Sequence, residues 1–154
     1  MKKIPSIMIV VWGIAVLCTL FLSSCKRPEV LDNSTLVNSA RNVALTFGPA
    51  YVPFFKEANV SDVQVFKKKD YGGDSRPQIR KQIGRKFYTV TFTYDSTAVK
   101  FDFGFAARVR IWKDTGEPLD VIFGNGWGRN FFFLSFKEQT DHSANDYEKV
   151  ASDS

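Results

Sequence analysis

The second half of the chain alternates apolar and polar residues with a period of two. Tyr88, Val90, Phe92 and Tyr94 interleave with Thr89, Thr91 and Thr93. Val99, Phe101, Phe103, Phe105, Ala107, Val109 and Ile111 then interleave with Lys100, Asp102, Gly104, Ala106, Arg108, Arg110 and Trp112. Neighbouring side chains of a strand point to opposite faces, so this pattern predicts half-buried strands. The second would be unusually long, with Gly104 letting it bend. "KDTGEP" predicts a hairpin leading to a strand carrying Leu119, Val121 and Phe123. "GNGWG" predicts another, leading to a last strand with Phe132, Leu134 and Phe136 directed inward.

The first half has a different period. Leu36, Ala40, Val43, Ala44 and Phe47 lie at helical spacing, with Ser34 as N-cap and Gly48-Pro49 as stop. Pro53 leaves residues 50–58 at best a short, broken helix. Val63 and Val65 predict a strand over about 61–68, and "PQIRKQIGRK" predicts two helical turns opened by Pro77, with Ile79 and Ile83 on one side. The fold class is therefore α+β, with N-terminal helices packed on a curved antiparallel meander of four to five strands. This order resembles the cystatin-type and nuclear-transport-factor-type arrangements; the resemblance is topological, and no motif carries it. One domain spans 34–137. Residues 138–154, acidic and nearly without apolar side chains, predict a disordered tail.

The opening segment has its own logic. Lys2 and Lys3 precede an uncharged run from Ile4 to Leu22, and Ser23, Ser24 and Cys25 close it. A positive head, an apolar stretch and a small-residue exit describe a secretory signal peptide. Leu22-Ser23-Ser24-Cys25 resembles the lipobox of bacterial lipoproteins. That resemblance implies cleavage between Ser24 and Cys25, diacylglycerol on the Cys25 thiol, and a further fatty acyl chain such as palmitate on the new amine. Each buried CH₂ contributes about 0.8 kcal/mol, so several chains hold the protein to the membrane without help from the fold. Residues 25–33 are then the lipidated Cys and a tether, whose last eight residues reach at most about 28 Å. In the same family, Lys26 rather than Asp after the Cys implies the outer membrane if the envelope has two.

Composition narrows the chemistry. The 154 residues include fifteen Phe but one His and two Cys, both Cys within the opening segment. Zinc, haem and iron–sulfur sites need several converging Cys or His side chains, so no metal or cofactor is expected, and the domain has no disulfide. His142 lies in the tail, where nothing would hold it as a general base. "FGNGWG" has the glycines of a phosphate loop, but strand periodicity resumes where a helix N-terminus is required. Asp102 and Asp120 fall on polar strand faces and read as ordinary surface charge. An enzyme is not expected.

Residues 67–86 carry eight cations, Lys67, Lys68, Lys69, Arg76, Arg80, Lys81, Arg85 and Lys86, against Asp70 and Asp74. Nucleic acid is a poor partner for an exported protein, whereas an anionic membrane attracts such a patch. Parity opposite to Phe132 and Phe136 directs Phe131 and Phe133 outward, on the face predicted to carry Arg108, Arg110 and Trp112. Trp, Phe and Arg together have the composition of a protein-binding hot spot. The expected function is a non-enzymatic protein-binding module of the cell envelope, of inhibitor, immunity or accessory type. The alternative is a small-molecule or lipid-binding lipoprotein with a Phe-lined pocket. Mass spectrometry of the mature N-terminal peptide should show acyl mass on Cys25, and Cys25→Ala should abolish both the acylation and the cleavage.

Overall fold

The computed structural model describes residues 31–73 and 76–141. The signal segment, Cys25, most of the tether, His142 and most of the acidic tail lie outside the described residues. The described residues from Leu31 onward form one compact unit, which contains every described strand and both apolar clusters and so carries its own core.

Helix α1, Asn33–Phe47, buries Leu36, Ala40, Val43 and Ala44, the stripe its spacing predicts. Its cap is Asp32 rather than Ser34. The Asp32 carboxylate accepts the Thr35 N–H at 2.7 Å and the Ser34 hydroxyl at 3.1 Å, and these bonds hold its pKa below the usual value. At the other end the Gly48 N–H donates to the Ala44 carbonyl at 2.9 Å. A Cβ on Gly48 would fall 2.3 Å from the Phe123 ring, so only glycine lets the chain turn there into a 3₁₀ helix, Pro49–Phe54.

Among the described residues six antiparallel strands follow: β1 Ala58–Val60, β2 Gln64–Val65, β3 Lys86–Phe92, β4 Ala107–Trp112, β5 Pro118–Phe123 and β6 Gly128–Asn130. β1 and β2 both pair with β3 on the same edge, and β4, β5 and β6 follow in order. Of the strand predicted over 61–68 only Gln64–Val65 forms; β1, Ala58–Val60, lies before the predicted span, and the register slips by one residue between the two. On one face Val90, Val109 and Val121 lie in a row, beside a second row of Phe92, Ala107 and Phe123. α1 covers this face, and Phe55 stacks on Phe92 with ring centroids 4.3 Å apart. Each large side chain buried this way contributes about 1.5–3 kcal/mol.

Two predicted strands form only in part. Only Ala107–Trp112 of the long alternating run pairs, and residues 93–106 make a long connection. The Asp95 carboxylate accepts the Thr97 N–H at 3.0 Å and also binds Lys56, which turns the chain away from the sheet. Phe101 then packs on Tyr51 and Tyr94 instead of on a neighbouring strand. The strand predicted through Phe132, Leu134 and Phe136 ends at Asn130, and residues 136–141 form a helix, α3, where the disordered tail was predicted to begin. Ser135 and Glu138 start α3 as a capping box. The Glu138 carboxylate accepts the Ser135 N–H at 2.7 Å, and the Ser135 hydroxyl accepts the Glu138 N–H at 3.3 Å.

The opposite sheet face is apolar at one end. Phe87, Trp112 and Leu119 are buried there beneath Phe66 and Ile79, with Tyr71 and Phe132 packed around them. Residues 66–84 supply this cover through a 3₁₀ helix, Lys68–Tyr71, and a single turn, α2, Pro77–Arg80. Ile79 is buried, but Ile83, predicted on the same side, is exposed.

Ile79→Ala should cost about 2–5 kcal/mol in chemical denaturation, as for any large side chain deleted from a core. Asp32→Ala should cost about 1 kcal/mol. A loss below that of Asp32→Ala at Ile79 would mean that the second cluster is not a core.

Candidate functional site

An ion pair separates the apolar and polar halves of this second face. The Arg110 guanidinium on β4 donates through Nε to both oxygens of Asp120 on β5, at 2.9 and 3.1 Å, and through Nη2 to Oδ2. The register shifts between Arg110 and Ile111, and this bulge brings Leu119 and Asp120 to the same side although they are adjacent in sequence. Asp120 is only 6% exposed, and the Arg110 cation lies 5.4 Å from the Phe87 ring centroid. Burial opposes the charge on Arg110, but the hydrogen bonds it donates to Asp120 and its attraction to that carboxylate outweigh it, so its pKa moves up.

The residues predicted as one partner-binding face are therefore dispersed. Trp112, 5% exposed, is core, and Arg110 is spent on Asp120. Phe131 packs on the other cluster, 5.6 Å from Phe47. Arg108 and Phe133 remain exposed, but each has its own neighbour: Arg108 lies over Phe105 and Arg76 over Phe133, both at 4.2 Å. With β6 ended at Asn130, strand parity no longer governs the Phe triplet. Asp102 sits exposed in the 93–106 connection and Asp120 is bound to Arg110, so they form no carboxylate pair. Among the described residues no group of His, Cys, Asp or Glu is placed to hold a metal ion.

An open cleft of about 450 Å³ lies where the end of β4, the start of β5 and the residues leading into β3 meet the segment after β6. Trp112, Pro118, Phe131, Phe132 and Phe136 supply its apolar walls, and Gln82, Arg85, Glu117, Ser135 and Lys137 its polar ones. Arg85 is held firmly. Its guanidinium lies 4.0 Å from the Trp112 ring centroid, donates to Asp114 at 3.0 and 2.6 Å, and donates to Gln82 at 2.5 Å. Those hydrogen bonds draw the Asp114 pKa below its usual value. Of these residues, Trp112, Arg85 and Phe131 were legible as candidates, for other roles; Gln82, Pro118, Ser135 and Lys137 were not. For Ser135 and Lys137 the signal was the Ser-x-x-Glu capping pattern that moves residues 131–137 out of the sheet, and Gln82 and Pro118 carried none.

At the opposite end of the sheet, "GNGWG" is the expected turn. Gly126 has φ 84°, and the Asn125 side chain accepts the Trp127 N–H at 3.0 Å. Trp127 and Phe103, 43% and 46% exposed, stand at this tip, with Arg129 5.8 Å from the Trp127 ring centroid. The basic residues of 67–86 line the other end, on the cover over the second cluster. Comparison with protein families, curated proteins and solved structures gives no match.

Asp120→Ala strands a buried cation and should cost about 3–5 kcal/mol, whereas the double change Arg110→Met/Asp120→Leu should recover most of the loss. Denaturation midpoints of the two variants decide it.

Proposed function

We propose that the chain is a non-enzymatic binding protein of a cell envelope, anchored through acylated Cys25, whose folded unit holds an apolar or amphiphilic small ligand in the aromatic cleft. The anchor rests on Leu22-Ser23-Ser24-Cys25 alone. The ligand rests on one observation, a concavity of about 450 Å³ with five apolar walls and a few fixed polar groups. Small-molecule sites have this size and this composition. Arg85 is held in place by Asp114 and Gln82 at the wall and is suited to orient an anionic or carbonyl-bearing end of the ligand. Asp120, one of the two carboxylates the sequence offered for acid–base work, is engaged by Arg110 in an ion pair.

A macromolecular partner is the second reading, and the exposed Trp127 and Phe103 beside Arg129 favour it. The two readings use opposite ends of the sheet, so variants separate them. Titration with the amphiphilic fluorophore 1-anilinonaphthalene-8-sulfonate should show saturable binding. Gln82→Trp, which fills the cleft, should weaken that binding about tenfold or more, roughly 1.4 kcal/mol. Phe103→Ser/Trp127→Ser should leave it unchanged. Equal binding by the cleft-filled variant would contradict the cleft reading.

A further inference from the structure

The end of the sheet where the described chain begins is also its basic end. Leu31 packs against the turn after β4, 3.3 Å from where a Cβ on Gly116 would stand. The same turn is tied to the basic segment. The Lys113 N–H donates to the Lys86 carbonyl at 2.9 Å, and Asp114 binds Arg85. Val65 pairs with Lys86, and the Phe66 N–H donates to the Arg85 carbonyl at 2.8 Å, so Lys67 belongs to the same corner. Lys67, Lys86 and Lys113 are exposed, and among the described residues none has an ion-pair partner within 4.0 Å. Val65 and Ile83 lie among them, 42% and 44% exposed.

We infer that this corner is a docking surface for an anionic phospholipid bilayer, on which the domain sits with Lys67, Lys86 and Lys113 among the headgroups and Val65 and Ile83 against the interface. Charge complementarity is the first argument, because exposed unpaired lysines flanking apolar side chains match an interface that is anionic at its surface and apolar beneath. The second is reach. Five residues separate Cys25 from Leu31, and the six steps between them span at most about 22 Å, so an acylated Cys25 keeps this end of the domain, and not the Trp127 tip, within a short distance of the bilayer. The cleft shares this end through Arg85 and Trp112, and its mouth would then open close to the lipid surface. The orientation rests on the anchoring reading; the affinity for anionic lipid does not.

The test uses the unacylated chain lacking residues 1–25, which retains the whole compact unit, in co-sedimentation with vesicles. It should bind vesicles of equal phosphatidylglycerol and phosphatidylcholine at low salt, release at high salt, and ignore pure phosphatidylcholine. Each cation at the surface multiplies binding about fivefold, so Lys67→Glu/Lys86→Glu/Lys113→Glu should lose about a hundredfold or more. A control that reverses three cations at the other end, Lys56→Glu/Lys100→Glu/Arg108→Glu, should bind at least ten times better than that variant (order of magnitude), with circular dichroism confirming that both fold. Absence of binding to the anionic vesicles, or equal loss in the two variants, overturns the proposal. Acyl mass on the mature N-terminal peptide reports on the anchor separately, so failure of one leaves the other intact.

Discussion

A sheet that is apolar on both faces at one end must be covered twice, and the rest of the molecule follows from that requirement. Antiparallel sheets commonly pack one face and leave the other in water. Here α1 covers the first face over most of its length, but Phe87 and Trp112 lie directly opposite each other on the second. Leaving two aromatic side chains in water would forfeit several kcal/mol. Residues 66–84 therefore fold back over them, and Phe66 and Ile79 become almost completely buried. That cover carries the lysines and arginines, which is why the charge of the chain collects at one end of the domain.

The second cluster stops at the Arg110–Asp120 pair. Beyond it the face turns to Thr89, Thr91 and Arg108, paired across the strands and partly or fully open to water. A buried pair of this kind contributes little net stability relative to well-packed apolar residues, but losing one partner is costly. It fixes instead where the layer ends, with the bulge beside it directing Leu119 inward and Asp120 onto the arginine. The 131–137 segment crosses this end after β6, and the gap between it and the cover is the aromatic cleft.

Much of this fold was legible in the sequence. The apolar stripe of α1, the alternation of β3 and β4 and both hairpin turns appear where periodicity and turn residues put them, and in β5 the alternation holds for Val121 and Phe123 but breaks at Leu119, where the bulge intervenes. Three features were not legible, each for a physical reason. The run from Val99 to Phe105 alternates like a strand, but the Asp95 turn diverts it before it can pair. Phe131, Phe132 and Phe133 carry no period at all: one joins the first cluster, one the second, and one stays exposed. Trp112 follows a polar run in register, which suggested solvent. Its burial becomes visible only once Phe87 is paired with it and Phe66 and Ile79 need somewhere to go. The candidate site shifted accordingly, from an open strand face to the cleft at its edge.

The state of Trp112 decides the account. In the unacylated chain lacking residues 1–25, Trp127→Phe leaves Trp112 as the only tryptophan. A second apolar layer predicts blue-shifted emission that iodide barely quenches. Emission like that of a water-exposed indole, quenched as fully as free tryptophan, would mean that the face is open. The cover, the cleft and the placement of the basic corner would then all fall together.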